Sequence, residues 1–591
     1  MSRATGRSQV GTVHYHGYYP QWAIYARNFF LRDLHANGTA DRLTILNYAF
    51  ANISSDTQIH PGYKAFAATA PNKNPGHADG GKDVGDADAD WVRPFQAAES
   101  VDGTADPGWN SPNYLKGNFN QLKKLKAKHP KLKVLISFGG WTYSRNFSKA
   151  ATDAHREEFV KSCIDLYIRG NLPTKIWTDT QNFPAQWRAV YGGAGVAAGI
   201  FDGIDIDWEW PGTDKGLPGN LYSKDDKKNL PLLLKEFRKQ LDALPARPDG
   251  EKYLLTAFLP ADPSVIEAGW DVPEVMKYLD YGNLQGYDLH GAFECPASCI
   301  TNHQSALHPI NGDPTSGKLS VETAVDAWVK AGAPKNKIVL GIPFYGRGWE
   351  GVQSDAKGGL FQQAKGAVPT PKAKYEAGVN EYRDLAGLVS SGYTLHRDDA
   401  NAVAWLHSPT ERIFWTFDDP TAVYKKAQFA KSKGLAGAMS YSLDGDEKTT
   451  GILSKYIRAA LDGQEPPEKE QQKNACTAPA WNAKYVYVAP NEVTYEDAMW
   501  QSTQWSKGTP PGTKNNDGNP VWKKLKACTL PIRLKLPAGA KPWDNSVAYK
   551  TGNYVTYEGQ LYSAAWDVPA GQKDKPGGNP DTWQPLGTYE K

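Results

Sequence analysis

Cysteine and methionine are scarce in this chain, at five and four of 591 residues. Five is an odd count, so the cysteines cannot all pair with one another. Cys295 and Cys299 lie four apart in the loop-like stretch E-C-P-A-S-C and suit a small disulfide loop. Cys476 and Cys528 bracket an aromatic-rich segment, where a bridge would staple a small module. Cys163, in the helical pattern E-E-F-V-K-S-C-I-D-L-Y, reads as a small buried residue. No neighbouring second pair completes a zinc site, and this usage fits an oxidising compartment. No run of about 18 apolar residues is present, which excludes a membrane-spanning helix. The first residues lack the apolar core of a signal peptide. Secretion is nevertheless the expectation, with the signal removed beforehand or export by another route. The net charge is only +3 and the basic residues form no long block, so nucleic acid and membrane surfaces are not expected partners. No strand–G-x-G-x-x-G–helix unit supports a nucleotide cofactor. His14 and His16 have ligand-like spacing, but no complete metal site follows and both read as polar positions on a first strand. No cofactor or metal is expected.

Aromatic residues, by contrast, are plentiful: 20 Trp, 30 Tyr and 19 Phe. Such rings pack cores and equally stack on sugar rings. The length implies two to four domains. From residue 10 to about 460, β-branched and aromatic runs alternate with helical periodicity, the mark of a parallel α/β architecture. Eight strand candidates stand at 11–19, 42–50, 131–139, 201–209, 253–260, 281–289, 337–345 and 434–443. Eight strands with helical crossovers predict a closed (β/α)8 barrel with its chemistry at the carboxyl ends of the strands; a doubly wound sheet is the competing architecture. Residues 51–130, rich in Gly, Asp and Pro, read as elaborate surface loops. Residues 348–430, between the last two strands, are long enough for an α+β subdomain that raises one wall of a cleft. The expected organisation is a barrel over 1–464, a polar linker over 465–475, and two small β-rich modules over 476–530 and 540–591.

The two modules form an approximate internal repeat. One copy carries Trp481, V-T-Y (493–495), Trp500, Trp505 and G-N-P-V-W ending at Trp522. The other carries Trp543, V-T-Y (555–557), Tyr562, Trp566 and G-N-P-D-T-W ending at Trp583. A constant offset of 60–62 residues marks a duplication. Each copy is too small to bury all its rings, so some, Trp566 among them, are expected to be exposed for flat contact with a polysaccharide.

The most unusual feature is D-G-I-D-I-D-W-E, residues 202–209. Asp205, Asp207 and Glu209 alternate with Ile204, Ile206 and Trp208. A strand turns successive side chains to opposite faces, so the acids share one face and the apolar residues the other. Three carboxylates in line repel unless protons are shared, which raises at least one pKa. A purely structural role or binding of a divalent cation would be alternatives, but no other oxygen-rich or His-rich motif supports the cation. General acid catalysis near neutrality requires such a raised carboxyl, and glycosidic bond cleavage is the favoured use, with Glu209 as proton donor.

At this point the chain closely resembles glycoside hydrolase family 18 over residues 10–460. D-G-I-D-I-D-W-E matches the signature D-G-x-D-x-D-x-E at every fixed position. S-F-G-G-W (137–141), L-N-Y-A-F (46–50), G-I-P-F-Y-G-R (341–347) and E-A-G-V-N-E-Y (376–382) look like chitinase segments. The repeated modules resemble small chitin-binding modules of bacterial chitinases, the first departing through its Cys pair and altered middle. The resemblance implies a chitinase that uses the substrate's own acetamido group as nucleophile, unlike the usual two-carboxylate retaining pair. It implies Glu209 as acid/base, Asp207 as the switch that orients the amide, and Asp205 as its proton partner. It implies that Tyr287 and Asp288 hold the acetamido oxygen and the sugar, that Tyr345 and Arg347 line subsites, and that Trp141 and Trp210 are sugar platforms.

Two positions depart from the family pattern. Gln285 stands where Met is common in M-x-Y-D, putting a polar group under the reacting sugar. Tyr441 stands on the last strand where a Trp is common, offering less stacking area. Either change bears on substrate preference. Alternatives with the same barrel are an endo-β-N-acetylglucosaminidase acting on N-glycans and a catalytically silent chitin-binding lectin. The expected partners are chitin and N-acetylglucosamine oligosaccharides, bound by a monomer.

Overall fold

The computed structural model describes residues 13–56, 62–66, 85–108, 111, 114–173, 192–315, 319–467, 478–479, 481–495, 498–514, 518–527, 536–537, 539–558, 560–571, 574–579 and 581–588. Cys476 and Cys528 fall outside them, as does most of the expected linker. The chain divides into two compact units, Met1–Gln464 and Glu465–Lys591.

In the first unit, eight strands run β1 (His14–Pro20), β2 (Ile45–Ile53), β3 (Lys133–Gly139), β4 (Gly203–Asp207), β5 (Leu254–Leu259), β6 (Tyr281–Leu284), β7 (Ile338–Pro343) and β8 (Gly437–Tyr441). Each pairs in parallel with its neighbour in sequence, and β1 also pairs with β8. That last ladder closes the sheet, so the (β/α)8 barrel expected from the pattern is present and the doubly wound alternative is excluded. All eight expected runs land on strands, with ends shifted by a few residues. The sixth ends at Leu284, and just beyond it Gly286 lies against the β7 backbone, where a Cβ would meet the Gly341 carbonyl at 2.0 Å.

The barrel wall separates two hydrophobic layers. Ile204 and Ile206 point outward into a large core shared with Leu230, Leu233, Leu234, Phe237 and Leu241 of the helix Asp226–Asp242. These five recur at helical spacing on one face, and each buried leucine contributes about 2 kcal/mol. Inside the barrel a smaller cluster gathers Tyr18, Phe258, Tyr287, Val339, Tyr345 and Met439. Helix starts are set by side-chain caps: Ser320 accepts from the Thr323 N–H, and Asp419 from the Ala422 N–H with Pro420 at the first helical position.

Between β7 and β8 the chain builds an antiparallel sheet with neighbouring strands Gly366–Ala367, Tyr345–Glu350, Ile413–Phe417, Val403–Ser408 and Thr394–Asp398. Val379–Glu381 also pairs with Tyr345–Glu350, and the helix Tyr382–Ala386 follows it. This is the expected α+β insertion. Its sheet runs from Tyr345 to Phe417, narrower at its far end than the 348–430 read from the sequence. The helix Pro420–Ser432 beyond it packs against β7 and β8 and belongs to the barrel. Arg27, after β1, ties the insertion to the barrel through ion pairs with Glu381 at 2.9 Å and Asp444 at 2.7 Å. Cys295 and Cys299 form a disulfide, and Cys163 is free and buried.

The second unit carries the repeat. Its first copy has the three-stranded sheet Glu492–Tyr495, Ala498–Ser502 and Trp522–Ala527, plus the pair Val486–Tyr487 and Ser506–Lys507. Its second copy has Lys541–Pro542, Tyr554–Tyr557, Gln560–Ala564 and Trp583–Thr588 in one sheet. The copies repeat their packing as well as their sequence. Tyr487 meets Trp522 edge-on at 5.2 Å as Tyr549 meets Trp583 at 5.3 Å, and Trp481 meets Tyr495 as Trp543 meets Tyr557. Trp522 and Trp583 are buried, whereas the equivalent Trp505 and Trp566 are 58% and 51% exposed. No helix among the described residues is long and apolar enough to cross a membrane.

Candidate active site

Asp205 and Asp207 are the inward residues of the short strand β4, and Glu209 follows just beyond the last ladder pair. Asp205 is fully buried. It accepts hydrogen bonds from the Tyr18 hydroxyl at 2.8 Å, Ser137 Oγ at 2.7 Å, Thr256 Oγ1 at 2.5 Å and Asn283 Nδ2 at 3.3 Å. Burial pushes its pKa up and these bonds pull it back, leaving it raised. None of the four donors was singled out from the sequence. Ser137 and Thr256 sit opposite Asp205 in the β3 and β5 registers, so a polar residue at the matching strand position was the available signal.

Asp207 has no comparable set. It hydrogen-bonds to Glu209, and its Oδ1 is buried without a partner among the described residues. Burial, then the Glu209 and Asp205 charges, hold its carboxyl well above the ordinary range. Glu209, still partly open to solvent, is pushed up to about 8 by burial and then by the Asp288 charge, while its bond to Asp207 acts the other way. At neutral pH this pair therefore retains a proton.

Neighbouring loops hold the row in place. Ser144 accepts from the Glu209 N–H at 2.9 Å and donates to the Asp207 carbonyl at 3.0 Å; Asn220 Nδ2 donates to the Glu209 carbonyl at 3.0 Å. Gly139 of S-F-G-G-W has φ 105°, and a Cβ there would lie 2.1 Å from the Asp207 carbonyl. A glycine is therefore required for β3 to pass this close to the acidic strand.

The other residues singled out from the sequence fall into distinct settings. Tyr287 is buried beside Tyr345 (ring centroids 6.0 Å) and Tyr441 (5.8 Å), and its hydroxyl has no partner among the described residues. Asp288 adopts φ 56°, a left-handed conformation uncommon outside glycine, where it accepts from the Tyr345 hydroxyl at 2.7 Å and Arg347 Nε at 2.8 Å. Arg347 also lies 5.4 Å from each of the Tyr345 and Phe293 rings. Tyr441 stays half-buried, 5.7 Å from the Tyr18 ring. Gln285 is half-buried and its Oε1 accepts weakly from the Ala261 N–H at 3.4 Å. Trp141 is 39% exposed, but Trp210 is 7% exposed and stacked on Phe258. Trp566 lies in the second unit. His14 and His16 bond to Tyr281 and Asn283 respectively. Among the described residues no group of His, Cys, Asp and Glu side chains could hold a metal ion.

A closed parallel barrel with a proton-sharing acidic row at the carboxyl end of one strand defines a TIM-barrel protein with an enzyme-type site. The model of glycosyl hydrolases family 18 matches residues 14–446, and the chain belongs to that family. It is 34% identical over 498 residues to chitinase A1 of Niallia circulans, covering 81% of this chain and 62% of the relative. It is 32% identical over 439 residues to chitinase C of Streptomyces lividans, covering 73% and 57%. The catalytic domain of the psychrophilic chitinase B from Arthrobacter TAD20 superposes with a TM-score of 0.66 at 42% identity, covering 77% of this chain and 98% of that structure. The chain spans about 60% of the length of the curated relatives it matches.

Proposed function

We propose that this chain hydrolyses β-1,4 bonds between N-acetylglucosamine units of chitin and its oligosaccharides, with the substrate acetamido group as nucleophile. The observation that carries this reading is the Asp207–Glu209 pair, in which burial keeps a proton on the outermost carboxyl near neutrality. Glu209 donates that proton to the glycosidic oxygen as the bond to the anomeric carbon breaks. The acetamido oxygen attacks the same carbon, giving a cyclic oxazolinium ion and releasing the reducing-end product. Asp207 accepts a hydrogen bond from the acetamido N–H and stabilises its developing charge. The Tyr287 hydroxyl, without a partner among the described residues, donates to the acetamido oxygen and orients it for attack. Ionised Glu209 then takes a proton from water, whose oxygen adds to the anomeric carbon and reopens the ring, restoring the starting state.

Asp288 is already engaged by Tyr345 and Arg347, which suits a sugar hydroxyl contact better than a nucleophile. Trp141 and Tyr441 supply exposed or half-exposed faces for stacking, Trp210 backs Phe258, and Gln285 sets a polar contact beneath the sugar. The second unit serves as two chitin-binding modules, with Trp566 and its equivalent Trp505 as flat platforms. Names of relatives and solved structures that are themselves chitinases support this substrate class. A secreted protein fits both an insoluble external polymer and the Cys295–Cys299 disulfide. The test is release of soluble N-acetylglucosamine oligomers from chitin by the wild type and not by Glu209→Gln. Hydrolysis of a glycoprotein N-glycan without activity on chitin would replace this reading.

A further inference from the structure

Beneath the acidic row lies a second buried polar layer that the reaction scheme above does not use. His16 on β1 is fully buried, and its Nδ1 meets Asn283 Oδ1 at 2.8 Å. Asn283 on β6 is equally buried, with Nδ2 at 3.3 Å from both Asp205 Oδ1 and the Tyr18 hydroxyl. The two ends of a carboxamide are nearly identical in shape, so Asn283 by itself fits either way round. Turned over, it would set a carbonyl oxygen against the Asp205 carboxylate.

His16 decides between the two orientations. Burial, then the neighbouring His14, holds its imidazole down at about 3, so the ring is neutral. A neutral ring has one N–H. Nε2 is buried with no partner among the described residues, and an orphaned N–H is costlier than an orphaned lone pair. The proton therefore belongs on Nδ1, where it donates to Asn283 Oδ1 and leaves Nδ2 facing Asp205.

We propose that His16 is a positioning residue for the hydrolysis: by locking the Asn283 amide it keeps a donor on Asp205, holds that carboxyl as the anion of the row, and leaves the shared proton to Asp207 and Glu209. The proposal rests on the substrate-assisted reading above. The groups that face this layer are His14 and Tyr281 beside His16, at ring distances of 5.8 and 5.4 Å, Tyr18 and Asp207 around Asp205, and Tyr287 beside Tyr18 and Asp207. The four donors to Asp205 are all uncharged, so its charge depends on hydrogen bonds, and losing one is felt directly.

The test measures kcat and KM against pH on a chromogenic N-acetylglucosamine oligomer. The proteins compared are the wild type, His16→Leu, His16→Asn, Asn283→Ala, the double variant His16→Leu/Asn283→Ala and Glu209→Gln. His16→Leu is expected to move the acid limb of kcat up by about one pH unit and lower kcat about tenfold, with KM little changed. His16→Asn restores both, its amide N–H standing where Nδ1 stood. Asn283→Ala moves the limb the same way, and the double variant moves it no further. An unmoved limb in His16→Leu or in Asn283→Ala, or single shifts that add in the double variant, overturns the proposal; if His16→Leu fails to fold, His16→Phe, which keeps a ring and loses the N–H, takes its place. Wild-type hydrolysis that survives Glu209→Gln overturns the parent reading instead.

Discussion

Replacing Glu209 by Gln keeps the shape of the side chain and removes its proton chemistry, so activity and stability should respond in opposite directions. In the native state this carboxyl is raised from its ordinary 4.5 to about 8. The native protein thus binds the proton more tightly than the unfolded chain does. The associated stability is fully present below pH 4.5 and is lost as pH rises through 8. At 1.36 kcal/mol per unit, this difference sets a ceiling of about 5 kcal/mol. Asp207 shares the same proton, so an effect of about 2 kcal/mol is expected for Glu209 alone. Glutamine carries no charge at any pH and has no such slope. Relative to its stability at pH 4, the variant should therefore gain on the wild type progressively between pH 5 and 9, a rise of about 2–5 °C in unfolding temperature at the alkaline end. On the proposed mechanism Glu209 serves as both general acid and general base, so hydrolysis of N-acetylglucosamine oligomers should fall about 10³-fold or more. Thermal unfolding across this pH range and initial-rate kinetics test the two halves separately. Parallel stability curves for the two proteins, or a variant retaining a tenth of the activity, would refute the reasoning.

Three further perturbations probe other parts of the structure. Tyr287→Phe removes a hydroxyl that has no partner among the described residues, so unfolding should be almost unchanged while kcat drops about 10²-fold. Lys426→Met leaves Asp418 buried without the cation that lies 2.5 Å away. Since breaking such a pair strands a charge, denaturant titration should show a loss of about 3–5 kcal/mol. On the proposal that the second unit binds chitin, Trp566→Ala and Trp505→Ala should each weaken adsorption to the insoluble polymer about tenfold, equivalent to one lost stacking contact. Neither should change kcat on soluble oligomers, and a change there would place these rings in the reaction rather than on the polymer surface.

Local pattern was sufficient for several parts of this molecule. Alternation put Asp205 and Asp207 on one face of β4 with Ile204 and Ile206 on the other, because side chains of any strand alternate whatever surrounds it. The eight apolar runs and the insertion before the last strand were legible for the same reason, and the duplicated tryptophans repeat their packing because they repeat their spacing.

Other properties required the closed barrel. The donors around Asp205 come from β1, β3, β5 and β6, between 51 and 187 residues away in sequence. Register between strands determines which of many Tyr, Ser, Thr and Asn residues reaches the carboxylate, and no single strand encodes it. Trp141 and Trp210 look alike at the ends of their motifs, yet one is exposed and the other covered by Phe258. The direction the chain takes on leaving the barrel decides that. So too with Glu209: its identity was legible in the sequence, but its proton near neutrality depends on burial and on Asp288, 79 residues further along the chain. A pKa is a property of an environment, and the environment exists only once the strands have closed around it.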